Sequence, residues 1–382
     1  MLQLPDDFSL AASPVSVPPV RELESLPAGL LGRWLAIMDP GYFAAVMATG
    51  IVSIGAGLLG QSVLSEGLLW CTVAAFVILL AAYGARAVAF PRRFAHSLKE
   101  PAMAVLYFTV VAGTNVLATA LLDRRLWAVA LGMWLAASLL WLVLNYWLFW
   151  SIILAGNRPL LREITGVWLV WVVGTQSLAM LAAGLATQIP WPVVREAAPI
   201  AAVILWGVGV VLYRILVVII FLRLFLIETT PPEMGPAYWI LMGAAAITVS
   251  AAASILTVDG AASSRLLTEM RPFVVGFSVV LWSVGTWFIP LLVLFGLWRY
   301  FVRGYSWAYE PRLWSVVFPL GMYTVASVTL GRAAGFGFMT ALADAWLWVG
   351  VAAWGAVLLS MIFTLVRPAS RRAPNPAPTR SP

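Results

Sequence analysis

The chain has 382 residues, of which 62% are hydrophobic and only 10% are charged, and its formal net charge is +7 at pH 7. Apolar runs close to spanning length recur through most of the sequence, a pattern that excludes a soluble domain and predicts a polytopic membrane protein. These runs are continuous instead of alternating with period two, so we predict an all-α protein and not a β-barrel.

Charged and proline-rich breaks divide the hydrophobic body, residues 34–366, into ten predicted transmembrane helices. The spans lie near residues 41–59, 67–90, 101–122, 126–150, 164–187, 197–226, 236–257, 272–298, 312–331 and 342–366. Residues 1–33 carry acids and several prolines, and residues 367–382 are basic and proline-rich. Both termini are therefore predicted to be disordered tails.

Arginine and lysine are concentrated in the two tails and in the connections that follow even-numbered spans. The positive-inside rule then puts both termini in the cytoplasm, as an even number of spans requires. We expect a multi-pass protein of the cell inner (plasma) membrane. Because the arginines lie in short connections, they indicate topology and not a nucleic-acid partner.

The odd spans begin with related sequences, which predicts a repeated hairpin of one odd and one even span, used five times. Their starts are DPGYFAAVMATG, EPAMAVLYFTVVAGT, REITGVWLVWVVGT, GPAYWILMGAAA and EPRLWSVVFPLG. Four of them place a proline at the expected first turn of the helix, where its missing N–H costs no hydrogen bond. The fifth span has no such proline.

Small and hydroxyl residues are concentrated in the odd spans, whereas the even spans carry bulky rings such as Trp134, Trp141 and Trp147. Small residues let helix backbones approach closely, and large apolar rings suit contact with lipid. We therefore expect odd spans inside and even spans outside. Tight helix packing alone could also explain the small residues, and the sequence leaves both interpretations open.

Few residues are suited to catalysis or to holding a cofactor. One cysteine, Cys71, and one histidine, His96, provide neither an internal disulfide nor a set of metal ligands. The segment GAGLLG at residues 55–60 lacks the strand and helix of a nucleotide-binding motif. We expect no enzymatic activity, no metal and no cofactor.

Charge inside the spans is scarce, since the acidic residues lie at span ends or in connections. Proton-coupled carriers usually keep such groups at depth, so a neutral, hydroxyl-lined route for an anion fits better. Arg86 is expected to snorkel to the cytoplasmic interface. On the sixth span, Arg214 and Arg223 are candidates for attracting anions, although snorkelling or a buried partner would also explain Arg214.

The segments MDPGYFAAVMATGIVS, TTPPEMGPAYWILMGAAAI and WSVVFPLGMYT resemble the tellurite-resistance and dicarboxylate transporter family. That family includes bacterial tellurite-resistance proteins, fungal malate permeases and sulfite pumps, and the slow anion channels of plant guard cells. The resemblance, over residues 34–366, implies five hairpins in quasi-fivefold arrangement around a central pore lined by the odd spans. It also implies a homotrimer with one pore per subunit.

In the ninth span, Phe318 precedes a helix-kinking proline, and the resemblance matches it to a phenylalanine that occludes the family's pore. The expected pore-lining residues are Thr49, Gly50, Gly113, Thr114, Gly174, Thr175, Gly243, Pro319 and Gly321. The leading hypothesis is a channel or facilitator for small inorganic or organic anions with Phe318 as gate. The alternative is a secondary carrier that exports or imports C4-dicarboxylate, sulfite or tellurite-type oxyanions.

Overall fold

The computed structural model describes residues 29–258 and 265–366, so most of both predicted tails lies outside the described residues. Over these two ranges the chain is all-helical, which confirms the predicted class. Ten helices are long and apolar enough to cross a membrane, as predicted. We number them α1 Pro40–Leu58, α2 Ser62–Ala89, α3 Pro101–Leu122, α4 Trp127–Leu154, α5 Gly166–Gln188, α6 Pro192–Leu226, α7 Pro236–Leu256, α8 Thr268–Val302, α9 Pro311–Ala334 and α10 Gly337–Thr364.

Several helices extend beyond the apolar run that predicted them. The helix α2 begins at Ser62, five residues before the expected start. Its first residues, SVLSE, are helical, but two serines and a glutamate interrupt the apolar run there. Two short helices, Leu30–Ile37 and Pro91–Lys99, precede α1 and α3. The first of them begins inside the segment predicted as the N-terminal tail, since its sequence LLGRWLAI is mostly apolar. Hydropathy therefore located the spans but underestimated helix length.

The ten helices form an inner and an outer layer, as the distribution of small and bulky residues predicted. Within the most apolar part of each odd helix, 72% to 94% of residues are buried, against 17% to 28% in the even helices. The odd helices are therefore inside, and the even helices present their apolar surface to lipid.

Helix contacts join the five hairpins into a closed ring. Each odd helix packs against the even helix that follows it, and the odd helices contact one another in the order α1, α3, α5, α7, α9 and back to α1. Each even helix also touches the odd helix of the next hairpin, and α10 touches α1. The quasi-fivefold symmetry of this ring and a pore along its axis stay predictions.

The first turns of the inner helices share a local structure. Each contains a short 3₁₀ segment, at Pro40–Phe43, Val105–Tyr107, Gly166–Leu169, Pro236–Trp239 and Pro311–Leu313. At α1 the carboxylate of Asp39 accepts a hydrogen bond from the Gly41 N–H at 2.7 Å. Gly166 begins α5, and a Cβ there would lie 2.3 Å from the Ala237 carbonyl oxygen. The start of α5 therefore requires glycine, not proline, to pass so close to α7.

Four outer helices donate tryptophan indole N–H groups into the next inner helix. The donor–acceptor distances, between 2.9 and 3.1 Å, join Trp141 to Thr175 Oγ1, Trp206 to the Thr248 carbonyl, Trp282 to Ser327 Oγ and Trp354 to Thr49 Oγ1. These rings combine apolar bulk with a polar tip that satisfies a buried acceptor. Tryptophan in the outer layer thus ties neighbouring hairpins together as well as facing lipid.

Five glycines expected to line a pore lie at contacts between inner helices. A Cβ at Gly243 would be 2.8 Å from Pro319 Cγ, and one at Gly321 would be 2.9 Å from Ile51 Cγ2. Corresponding contacts would bring Gly50 to Val116, Gly113 to Phe43 and Gly174 to Phe108. The packing interpretation therefore accounts for all five glycines, and their lining of a pore stays a prediction.

The close approach of α7 and α9 predicts that Gly243→Ala destabilises the protein. The added methyl meets the rigid Pro319 ring, and such overpacking costs about 1–3 kcal/mol. Thermal unfolding of purified protein in detergent, followed by intrinsic tryptophan fluorescence, measures the effect. The control is Gly276→Ala on α8, where a Cβ meets no described atom within 4 Å. Equal unfolding midpoints for the two variants would contradict the packing role.

Candidate functional site

A small cavity lies inside the inner ring, where the N-terminal ends of all five inner helices meet. Its volume is about 20 Å³, which is room for about one water molecule. The lining residues are Asp39, Gly41, Ala44, Met47, Leu106, Thr109, Val167, Val170, Ile240, Pro311, Arg312 and Ser315. Since every inner helix contributes to it, we call it the axial cavity, and it identifies the face that each helix turns toward the ring interior.

Helical spacing extends those faces one turn further from the N-terminal ends. Residues three or four apart on a helix share a face. The positions that follow the cavity-lining residues at this spacing are Ile51 on α1, Gly113 on α3, Gly174 on α5, Gly243 on α7 and Phe318 on α9. Phe318 therefore belongs to a layer in which three of the five positions have no side chain.

The contacts of α9 give the rotation of Phe318 independently. Ser327 Oγ accepts a hydrogen bond from Trp282 of α8, which marks the outer side of the helix. Phe318 precedes Ser327 by nine residues, or two and a half turns, and so lies on the opposite side. Its neighbours Pro319 and Gly321 pack against α7 and α1 respectively. Phe318, which is fully buried, thus faces the interior of the ring.

The hydroxyls that line the axial cavity differ from those expected to line a pore, whose role there stays a prediction. Thr175 accepts from Trp141 and donates to the Trp171 carbonyl, and Thr49 accepts from Trp354, so outer helices engage both groups. Thr114 is buried within α3. The cavity is lined instead by Thr109 and Ser315. Counting back one helical turn from Gly113 and Phe318 would have found them.

Two arginines and one carboxylate lie near the axial cavity. Arg312 lines it and is exposed, whereas Asp39 is half-buried and caps the start of α1. Arg86 is only 5% exposed and donates to the Met38 carbonyl. The sequence predicted that Arg86 snorkels to the interface, and this is wrong. The buried side chain instead holds the segment that leads into α1. The balance of these three charges is positive.

Comparison with known proteins identifies the chain's family. A family model described as "Voltage-dependent anion channel" matches residues 38–362. The chain belongs to this anion-channel family. The match includes all ten spanning helices except the last two residues of α10, and it confirms the resemblance stated from the three sequence motifs. The protein is a membrane anion transporter or channel.

Relatives of this family member occur in bacteria and archaea. The chain is 39% identical over 143 residues to an uncharacterized membrane protein of Mycobacterium tuberculosis, a match that covers 37% of the chain and 71% of the relative. It is 26% identical over 303 residues to an uncharacterized transporter of Methanocaldococcus jannaschii, covering 75% of the chain and 82% of the relative. A second transporter of that archaeon is 23% identical over 338 residues, covering 85% and 94% respectively.

Arg223, a candidate from the sequence for attracting anions, is engaged by protein groups and does not line the axial cavity. The Arg223 side chain is fully buried. Its Nε donates to the Arg162 carbonyl at 3.1 Å and its Nη1 to the Tyr238 hydroxyl at 2.7 Å. Its Nη2 lies 3.4 Å from a carboxylate oxygen of Glu233. These contacts commit the guanidinium to fastening the end of α6 to the start of α7.

The partner carboxylate of Arg223 has a perturbed pKa. Desolvation alone would raise the pKa of Glu233, but hydrogen bonds from the Thr230 backbone N–H and from Arg162 outweigh it and lower the pKa below its usual value. The ionised carboxylate therefore contributes stability above the pKa of the unfolded chain. That contribution is lost as the pH falls through the lowered folded-state value.

Arg214 is placed differently, on the exposed outer face of α6. It lies in the layer that surrounds the ring and not in the layer that encloses the axial cavity. Its role in attracting anions stays a prediction. Arg214 is exposed, so it does not have the buried partner that the sequence left open as one explanation.

These placements predict opposite outcomes for two matched variants of the anion-channel family member. Arg223→Gln should destabilise the protein by about 1–3 kcal/mol, because buried partners lose their hydrogen bonds. Arg214→Gln should leave the unfolding midpoint close to that of the parent, since the residue is exposed. Thermal unfolding in detergent gives both values. If Arg223→Gln kept the parent's midpoint and lost anion flux, the structural role would be refuted.

Proposed function

We propose that the protein is an anion channel or facilitator whose path follows the axis of the inner ring and is closed by Phe318. One observation carries the proposal: all five inner helices line the axial cavity, and Phe318 lies one turn beyond it on the same face of α9. Three of the five positions at that level are glycines, which let the inner helices approach closely around the ring of Phe318. A single side chain can therefore close the path.

The proposed gate works by excluding volume and water. With Phe318 in place, the space next to it holds about one water molecule, too little for a hydrated anion. Movement of the ring, or its removal, would let an anion pass between neutral helix surfaces. With no charge fixed beside the ring, selectivity among anions would follow the cost of removing their hydration shells.

The charges near the axial cavity support an anion as the transported ion. Exposed Arg312 would raise the local concentration of anions, and buried Arg86 would add to the positive potential against Asp39. The distribution of arginine in the sequence assigns this mouth to the cytoplasm. The proposal includes location in the cell inner membrane, with both termini cytoplasmic, and assembly as a homotrimer in which each subunit has its own path.

The central test of the gate is Phe318→Ala. Purified protein in liposomes should show chloride flux at least about tenfold above the parent, because lowering a barrier by only about 1.4 kcal/mol gives that factor. Phe288→Ala is the matched control, since this equally buried ring packs on Phe221 in the outer layer. It should lower stability without raising flux. Parent-level flux in folded Phe318→Ala would overturn the gate.

A second test concerns the mouth. Arg312→Gln should reduce anion flux severalfold at low ionic strength, and Arg312→Lys should restore it, because the effect depends on charge. The deficit should shrink at high salt, as the Debye length falls from about 10 Å at 0.1 M to about 3 Å at 1 M. An equal loss in the lysine variant, or no salt dependence, would contradict electrostatic attraction at this position.

A secondary carrier is the alternative function, and the two archaeal relatives named as transporters favour keeping it. In that case the protein would export or import C4-dicarboxylate, sulfite or tellurite-type oxyanions by alternating access. A carrier saturates when its binding site is occupied. We expect instead that liposome flux rises linearly with anion concentration and ranks anions by hydration. Saturation together with proton coupling would favour the carrier.

A further inference from the structure

A second and larger cavity opens between the outer helices α8 and α10. It lies outside the inner ring, whereas the axial cavity lies inside it. Its volume is about 320 Å³, which lies in the range of small-molecule binding sites, about 300–1,000 Å³. Gly296 of α8 and Ala356 of α10 flank it, and the starts of α7 and α9 close its base. We call it the outer crevice.

One buried guanidinium lies at an end of the outer crevice. Arg299 is 2% exposed, and its Nη2 donates to a carboxylate oxygen of Glu310 at 2.8 Å. The guanidinium carbon also lies 4.2 Å from the centre of the Tyr305 ring. Its Nε and Nη1 have no acceptor in the described part of the chain. Buried N–H groups without a partner are costly, so an acceptor oxygen that enters the crevice would be stabilising here.

The rest of the crevice is apolar and extends away from Arg299 into the membrane. Leu292 precedes Arg299 by seven residues on α8, so it lies about 10 Å further along the helix axis. Phe295, Val316 and Val357 line the same part of the wall. At the opposite end, Trp307 is 69% exposed beside the guanidinium, as is common for tryptophan at the headgroup level. The crevice therefore joins an end with unpartnered guanidinium N–H donors to a hydrocarbon slot.

We propose that the outer crevice binds an anionic phospholipid. The phosphate would accept from Nη1 of Arg299, which lies beside Gly235 in the crevice wall, and one acyl chain would lie along Leu292 and Phe295. The guanidinium donors that Glu310 leaves unpartnered favour an anionic oxygen, and the depth of the slot selects an amphiphile over a small free anion. Pockets that place a basic residue between membrane helices are suited to this use. Val316 lies on the side of α9 away from Phe318, so the lipid would brace the gate-bearing helix from behind.

Photolabelling tests the location without depending on transport. Delipidated protein in neutral detergent is incubated with phosphatidic acid that carries a diazirine in its acyl chain, irradiated and digested for mass spectrometry. We expect labelled peptides around residues 292–299 and 356–360. Gly296→Leu should reduce this labelling at least about fivefold, equivalent to about 1 kcal/mol. Its added side chain would enter the open crevice, since a Cβ there meets no described atom within 4 Å.

Matched controls separate the crevice and its charge from general lipid contact. Gly276→Leu, at an equally open position on the same helix, should label like the parent. Labelling by phosphatidylcholine with the same diazirine chain should be weak, and Arg299→Gln should lower phosphatidic acid to that level. Equal labelling of the Gly296→Leu and Gly276→Leu variants would overturn the site. Equal labelling by the two lipids, or displacement by excess inorganic phosphate, would overturn the anionic phospholipid.

Discussion

The close packing of five inner helices is the constraint on which the rest of the structure depends. Lipid chains are as apolar as the helix surfaces, so the hydrophobic effect does little to hold spanning helices together, and close packing must do so. Glycine supplies it where Gly243 meets Pro319 and where Gly321 meets Ile51. A ring closed this tightly leaves an axial cavity of about 20 Å³. Small residues thus determine both the cohesion of the ring and the narrowness of its centre.

The outer layer completes the inner ring instead of merely surrounding it. The indole N–H groups of Trp141 and Trp354 donate to the hydroxyls of Thr175 and Thr49. Outer helices therefore satisfy these two hydroxyls of the inner layer. Arg223 similarly donates hydrogen bonds to Tyr238 and to neighbouring groups. The described residues that line the axial cavity are mostly apolar, and the charged ones among them are Asp39 and Arg312. That distribution suits a path that opens by moving a ring and not by binding an anion at depth.

The sequence predicted which helices are inner and which are outer, but not which side of each helix faces the ring interior. Composition alone separated inner from outer helices, and hydropathy located all ten spans, because both depend on which residues a helix contains. The orientation of Thr49 and Thr175 depends on partners more than thirty residues away in sequence, which no local pattern reveals. The contacts of Arg223 could not be predicted for the same reason, since Arg162 and Tyr238 come together only in the fold. Phe318 was identified through resemblance, and its inward rotation required the contacts of Ser327 and Gly321.

Cysteine modification on opposite sides of α9 tests the axial path most directly. Ser315→Cys and Ser327→Cys would each be made in a Cys71→Ser, Phe318→Ala protein and treated in liposomes with an anionic methanethiosulfonate reagent. The axial path predicts that modification at Ser315 abolishes most anion flux, whereas Ser327, turned toward Trp282, leaves it unchanged. Undiminished flux after complete modification at Ser315, or equal loss at both positions, would contradict the account.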